Sequence, residues 1–82
     1  MPKVKIYTLS TCSHCWSAKR LLKRYDVNFD AVDVDMTAGD ERQALIAEVK
    51  RYNPACSFPT LVIGDKVIVG YREDEIKEAL GL

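Results

Sequence analysis

Two cysteines separated by two residues, in Cys12-Ser13-His14-Cys15, are the side chains of this sequence best suited to covalent chemistry. That spacing brings two sulfurs within reach of each other across one turn, which serves reversible disulfide formation and is also used by metal sites. Lys3 to Leu9 reads as a strand and Ser13 to about Tyr25 as a helix, so the pair falls at a strand-to-helix junction. At a helix start, unpaired backbone N–H groups and the positive end of the helix dipole favour a thiolate. Cys12 is therefore the expected nucleophile. Cys15, one turn further in, is the thiol that would resolve a mixed disulfide formed on Cys12.

The neighbours of the pair each admit a functional and a structural reading. Ser13, Thr11 and His14 form the immediate surroundings of Cys12. His14 is the only histidine: protonated, it favours the Cys12 thiolate; otherwise it is an exposed linker residue. Trp16 is either a platform for substrate or a cover for the helix edge, and covering is the reading preferred for a large aromatic in a small protein. The third cysteine, Cys56, is read first as a small buried apolar side chain. A regulatory thiol, or a third metal ligand beside Cys12 and Cys15, remains the alternative.

Those residues need elements to hold them, and the chain is short. Eighty-two residues are expected to form one domain, residues 1–82, burying roughly 60–65% of the unfolded surface. With 48% hydrophobic and 29% charged residues, the composition is that of a globular protein rather than a disordered or membrane chain. Twelve basic and twelve acidic side chains cancel, which leaves no net field to attract nucleic acid or a membrane surface. The opening stretch lacks an apolar segment of leader type, and a cytoplasmic monomer is expected. Three cysteines, two of them close together, do not make a disulfide scaffold.

In chain order, Val4 and Ile6 are expected to face one layer from the first strand. Ala18, Leu21, Leu22 and Tyr25 recur at helical spacing behind Ser10 and Thr11 as capping residues, with Lys19, Arg20, Lys23 and Arg24 on a solvated face. Asp26-Val27-Asn28 breaks the helix, and Phe29 to Asp35 alternates as a second strand, parallel to the first through a right-handed crossover. Asp40 and Gln43 resemble a capping box for a second helix whose stripe is Leu45, Ile46, Val49 and Tyr52, ended by Asn53-Pro54. Leu61 to Val69 folds about Gly64-Asp65 as a hairpin, and Glu73 to Gly81 forms a last helix with Ile76, Ala79 and Leu80 buried. The order is βαβαββα, an α/β chain.

This order, with Tyr7-Thr8 and Cys12-Ser13-His14-Cys15 at the end of the first strand and Phe58-Pro59-Thr60 leading into the hairpin, resembles the glutaredoxins of the thioredoxin-like superfamily. The resemblance covers nearly the whole chain. It implies a four-stranded mixed sheet flanked by three helices, with Pro59 cis beside the dithiol. It also implies a dithiol thiol–disulfide oxidoreductase acting in cell redox homeostasis and electron transfer, with no tightly bound cofactor. Phe58, Gly70, Tyr71 and Trp16 are the implied substrate contacts. A metal or iron–sulfur carrier using Cys12, Cys15 and Cys56 is the alternative. The chain departs from the family pattern at Ser13-His14, at Leu9 where a basic residue is common, at Ser57-Phe58-Pro59 and at Val69-Gly70-Tyr71-Arg72. The last stretch is similar to the glutaredoxin-like electron donors of ribonucleotide reductase, which favours thioredoxin reductase over glutathione as the electron source, with glutathione retained as a possible co-substrate.

Overall fold

The computed structural model describes residues 3–82; Met1 and Pro2, part of the opening stretch read above, lie outside the described residues. Strand β1 (Val4–Thr8) lies inside a four-stranded sheet of order β2-β1-β3-β4, with β2 at Asp30–Asp33, β3 at Thr60–Ile63 and β4 at Lys66–Val69. β2 runs parallel to β1, whereas β1 with β3 and β3 with β4 are antiparallel. Helices α1 (Ser13–Arg24), α2 (Gly39–Tyr52) and α3 (Glu73–Leu80) complete the expected βαβαββα order.

Side chains two apart on a strand share a face, and Val4 and Ile6 meet Leu61, Ile63 and Ile68 on one side of the sheet. Against them pack Ala18, Leu21 and Leu22 of α1 with Ile76 and Leu80 of α3, all buried. Removing this aliphatic surface from water drives the layer together. The C-terminus of α1 is fixed by Asp26, whose φ of 56° lets its N–H reach Lys23 O at 3.1 Å while Val27 N–H reaches Leu22 O at 3.0 Å. That pair of reversed bonds ends the helix and turns buried Val27 into the core.

The other face of β1 presents Lys5 and Tyr7, and a polar tie holds α2 there. The hydroxyl of buried Tyr7 donates to Glu48, and Lys5 Nζ stands 3.1 Å from Glu48 Oε2. Burial first, and then the carboxylate, pushes the Tyr7 phenol well above its ordinary value. The phenol's hydrogen bond in turn holds the Glu48 carboxyl below the usual range. The apolar stripe expected for α2 is correspondingly thin. Val49 is buried, but Leu45 and Ile46 are half-buried and Tyr52 is 42% exposed, because the strand beneath offers polar side chains to meet.

Local signals at two boundaries are corrected. The Asp40–Gln43 capping box does not form: Ala38 is the N-cap of α2 without a side-chain bond, and Asp40 and Glu41 act only through their charge in the first turn. The second strand stops at Asp33, since Val34–Met36 winds into a 3₁₀ turn that buries Val34. β2 is an edge strand, so nothing beyond it extends the ladder.

Glu48 supplies a test of the polar tie. Its folded value is depressed, so its stabilising contribution is full above the ordinary 4.5 and is lost as pH falls through the lower folded value. Urea titrations on the acid side are expected to show a shallower pH dependence for Glu48→Gln than for the wild type; parallel curves would mean that the tie contributes nothing.

Candidate active site

β1 ends at Thr8, in register with Asp33 of β2, and the chain then makes one turn closed by Cys12 N–H donating to Leu9 O at 3.1 Å. Cys12 keeps an extended conformation (φ −89°, ψ 117°) and is itself the N-cap of α1, its Sγ accepting from Cys15 N–H at 3.3 Å. Ser10 and Thr11, expected to cap the helix, lie in the turn before it. A cap must be the last residue before the first helical one, and here that residue is the cysteine.

The two sulfurs consequently differ. Cys12 is half-buried, whereas Cys15 is 1% exposed. Burial first, then the hydrogen bond with Cys12, pushes the Cys15 thiol up to about 12, against the opposing pull of the Leu9 backbone and the Lys19 charge. Lys19 leaves the solvated stripe to which the sequence assigns it: its Nζ lies 3.3 Å from Asp33 Oδ1. The Thr8 hydroxyl also donates to Asp33 and stands 3.1 Å from Val32 O. Beyond the ladder, Ser10 is gripped by Asp35 through its N–H (2.9 Å to Oδ1) and its hydroxyl (2.6 Å to Oδ2). Ser10 is thus held otherwise than as a cap, and Asp33 and Asp35 join the surroundings of the site although neither stands out in the sequence; Lys19, four residues after Cys15, is the available signal.

A second wall comes from the segment before β3. Asn53, 4% exposed, donates through Nδ2 to Ser57 O, Ser57 Oγ and Thr60 Oγ1 at 3.1, 3.0 and 3.1 Å, which shapes the turn leading to a cis Phe58–Pro59 bond. Cys56 lies in that turn with φ 52°, half-buried, its N–H bonded to Asn53 O at 2.8 Å. This corrects its reading as a buried core residue: the turn runs over the surface, and Cys56 lies outside the aliphatic core. Gly70 N–H donates to Pro59 O at 2.8 Å, drawing the end of β4 against this wall.

His14, Phe58, Gly70 and Tyr71 thus line one cleft of about 530 Å³, completed by Val69 and by Arg72, Glu73, Asp74 and Glu75 at the start of α3. Trp16 is not part of that lining. It is 61% exposed, with the Arg20 guanidinium 5.1 Å from its ring centroid, so it does not cover the helix edge either. Among the described residues no group of three or more His, Cys, Asp or Glu is gathered to hold a metal, and Cys56 does not join Cys12 and Cys15 as a ligand set. No helix among the described residues is long and apolar enough to cross a membrane.

Residues 4–68 match the protein-family model for glutaredoxin. The chain belongs to the glutaredoxin family. A glutaredoxin of Pseudomonas aeruginosa is 36% identical over 81 residues, spanning 99% of this chain and 90% of that protein. The crystal structure of methanoredoxin from Methanosarcina acetivorans superposes with a TM-score of 0.94 at 43% identity, covering 99% of this chain and 86% of that one. A glutaredoxin from Methanosarcina mazei gives 0.91 at 48% identity, covering 99% and 80%. The fold is therefore the thioredoxin-like one that the sequence implies, and the glutaredoxin family's class of chemistry is thiol–disulfide oxidoreduction.

The burial of Cys15 has a measurable consequence. Its ordinary value is 9.0, so between about 9 and 12 the unfolded chain loses this proton while the folded chain keeps it, and stability falls as pH rises through that window. Urea midpoints are expected to drop between about pH 8 and about pH 10.5 in the reduced protein, and to drop less in Cys15→Ala. Equal slopes would contradict this assignment.

Proposed function

We propose that this glutaredoxin-family protein is a dithiol oxidoreductase that reduces protein or low-molecular-weight disulfides through a Cys12–Cys15 couple, in electron transfer and redox homeostasis. The observation that carries this reading is the inequality of the two thiols: one sulfur stands at the helix N-terminus as the acceptor of Cys15 N–H, and the other is buried one turn behind it. The Cys12 thiolate attacks a substrate disulfide, forming a mixed disulfide and releasing one substrate thiolate, which takes up a proton. Cys15 then loses its proton and attacks Cys12 Sγ; the second substrate thiol leaves, and a Cys12–Cys15 disulfide remains. Two electrons and two protons from a donor restore the dithiol.

The donor we propose is a flavin-dependent thioredoxin reductase, with glutathione a poorer co-substrate. Glutathione carries two carboxylates. The cleft that His14, between the two cysteines, helps to line holds three carboxylates, Glu73, Asp74 and Glu75, against one guanidinium, and Arg72 Nε already stands 3.5 Å from Glu75. Leu9, where the family often has a basic residue, adds no charge. Like charges in a shared cleft disfavour binding, and surface pairs are individually weak, so no single cation here compensates.

Two measurements test these statements. Cys12→Ser is expected to abolish disulfide reduction, whereas Cys15→Ser retains a trapped mixed disulfide on Cys12 and loses turnover of protein disulfides; faster labelling of Cys15 than Cys12 near neutral pH would reverse the roles. With the oxidised protein as substrate, thioredoxin reductase is expected to give saturable reduction, at least about tenfold more efficient than millimolar glutathione, a difference of about 1.4 kcal/mol in transition-state stabilisation. Fast, saturable reduction by glutathione with none by the reductase would overturn the donor.

A further inference from the structure

The strand-to-helix turn that carries Cys12 lies beyond the last paired residues of β1 and β2, Thr8 and Asp33. Past that point the sheet no longer holds Leu9, Ser10 and Thr11, and within the turn itself one backbone bond, Cys12 N–H to Leu9 O, closes the loop. Ser10 in the middle of the turn is joined to the end of β2 by the Asp35 carboxylate. One oxygen accepts Ser10 N–H at 2.9 Å and the other accepts the Ser10 hydroxyl at 2.6 Å, a two-point grip that fixes orientation as well as distance.

Asp35 is able to reach because β2 ends in the 3₁₀ turn Val34–Met36 instead of running on as a strand. That turn is anchored on both sides. Thr37 donates to Val34 O through its hydroxyl at 2.7 Å, and Arg42 Nη2 of α2 donates to Asp35 O at 2.9 Å. The buried Val34 side chain roots it in the interior. The grip on Ser10 therefore connects the redox turn to a rigid support built from a different part of the chain. Its carboxyl is held below the ordinary range by the two bonds from Ser10, so it stays charged and accepting at neutral pH.

We propose that Asp35 is a positioning residue for the redox centre: by holding Ser10 it keeps Cys12 at the N-cap of α1, with the sulfur presented for attack. The proposal rests on the reading of Cys12 as nucleophile. A turn released from Asp35 samples conformations in which Cys12 is no longer the cap, and the rate of any reaction of its sulfur falls with the fraction of time spent in the competent one. The sign separates this role from a simple charge effect. A carboxylate near a thiolate opposes it, so on charge alone neutralising Asp35 would make Cys12 more reactive. Positioning requires the opposite.

The experiment is the second-order rate of iodoacetamide labelling of Cys12 in the reduced full chain near neutral pH, followed by mass mapping, with Cys56 as internal control. Asp35→Ala is expected to slow Cys12 roughly three- to tenfold, a size consistent with losing charge-assisted hydrogen bonds in an exposed place. Asp35→Asn keeps an oxygen for Ser10 N–H and is expected to fall between Asp35→Ala and the wild type. Combining Ser10→Ala with Asp35→Ala is expected to slow Cys12 no further than Asp35→Ala alone, because both remove one interaction. Cys56 should label at an unchanged rate, which a general loosening of the fold would not allow. Should Asp35→Ala fail to fold, Asp35→Asn decides. A Cys12 rate equal to or above wild type in a folded variant overturns the proposal, whereas a wild type in which Cys12 is not the reactive thiol overturns the oxidoreductase reading and this one with it.

Discussion

A single contact, Cys15 N–H donating to Cys12 Sγ at 3.3 Å, organises the redox end of this molecule. A helix leaves its first N–H groups without partners, and a side-chain oxygen ordinarily meets one of them. Here a sulfur takes that place. For this to happen the chain must leave β1, turn once and begin α1 at Ser13, so that Cys12 is extended while the next residue is helical. The same geometry rotates Cys15 inward, one turn later, onto the face that α1 packs against the sheet. A difference of three residues thus separates an accessible sulfur from one that is 1% exposed. Two chemically identical thiols acquire unequal exposure from position alone.

Much of the remaining structure serves to hold that junction. The aliphatic layer of β1, β3, β4, α1 and α3 fixes the direction in which α1 leaves the sheet. The end of β2 meets the junction with two aspartates: Asp33 binds Thr8 and Lys19, and Asp35 binds Ser10. These bonds link segments about 14 to 25 residues apart in the chain, so each closes a loop at an entropic cost that grows slowly with length. On the far side, buried Asn53 with its three hydrogen bonds shapes the turn before Pro59, and Gly70 N–H draws the last strand against it. The cleft lies on this second side, between His14 of α1, Phe58 and the segment from Val69 to Glu75.

Charge within that cleft is unevenly distributed. The chain as a whole is neutral, with twelve residues of each sign, yet three carboxylates gather at the start of α3. The N-terminal end of a helix dipole favours such residues there, so their presence is compatible with stability. Their effect on a substrate follows from where α3 is docked. Packed through Ile76 and Leu80 onto the core, the helix brings its acidic first turn into the cleft that His14 lines.

The sequence by itself determined the spacing of the two thiols, the order of elements, and the family. The cysteine spacing, the apolar alternation of β1, the helical recurrence of Ala18, Leu21 and Leu22 and the Gly64-Asp65 turn are local patterns, set by backbone geometry within a few residues. Even the unequal burial of Cys12 and Cys15 follows from helix position. Tertiary structure alone decided the rest. That Lys19 leaves the solvated face for Asp33 and that Asp35 winds out of a strand to hold Ser10 depend on partners 14 and 25 residues away in sequence. A polar side chain has many nearly equivalent local arrangements, and only the docking of another element selects among them. Apolar periodicity carries its own address, because every buried position shares the same need to leave water; a carboxylate or an amide has no destination until a specific donor has been brought to it.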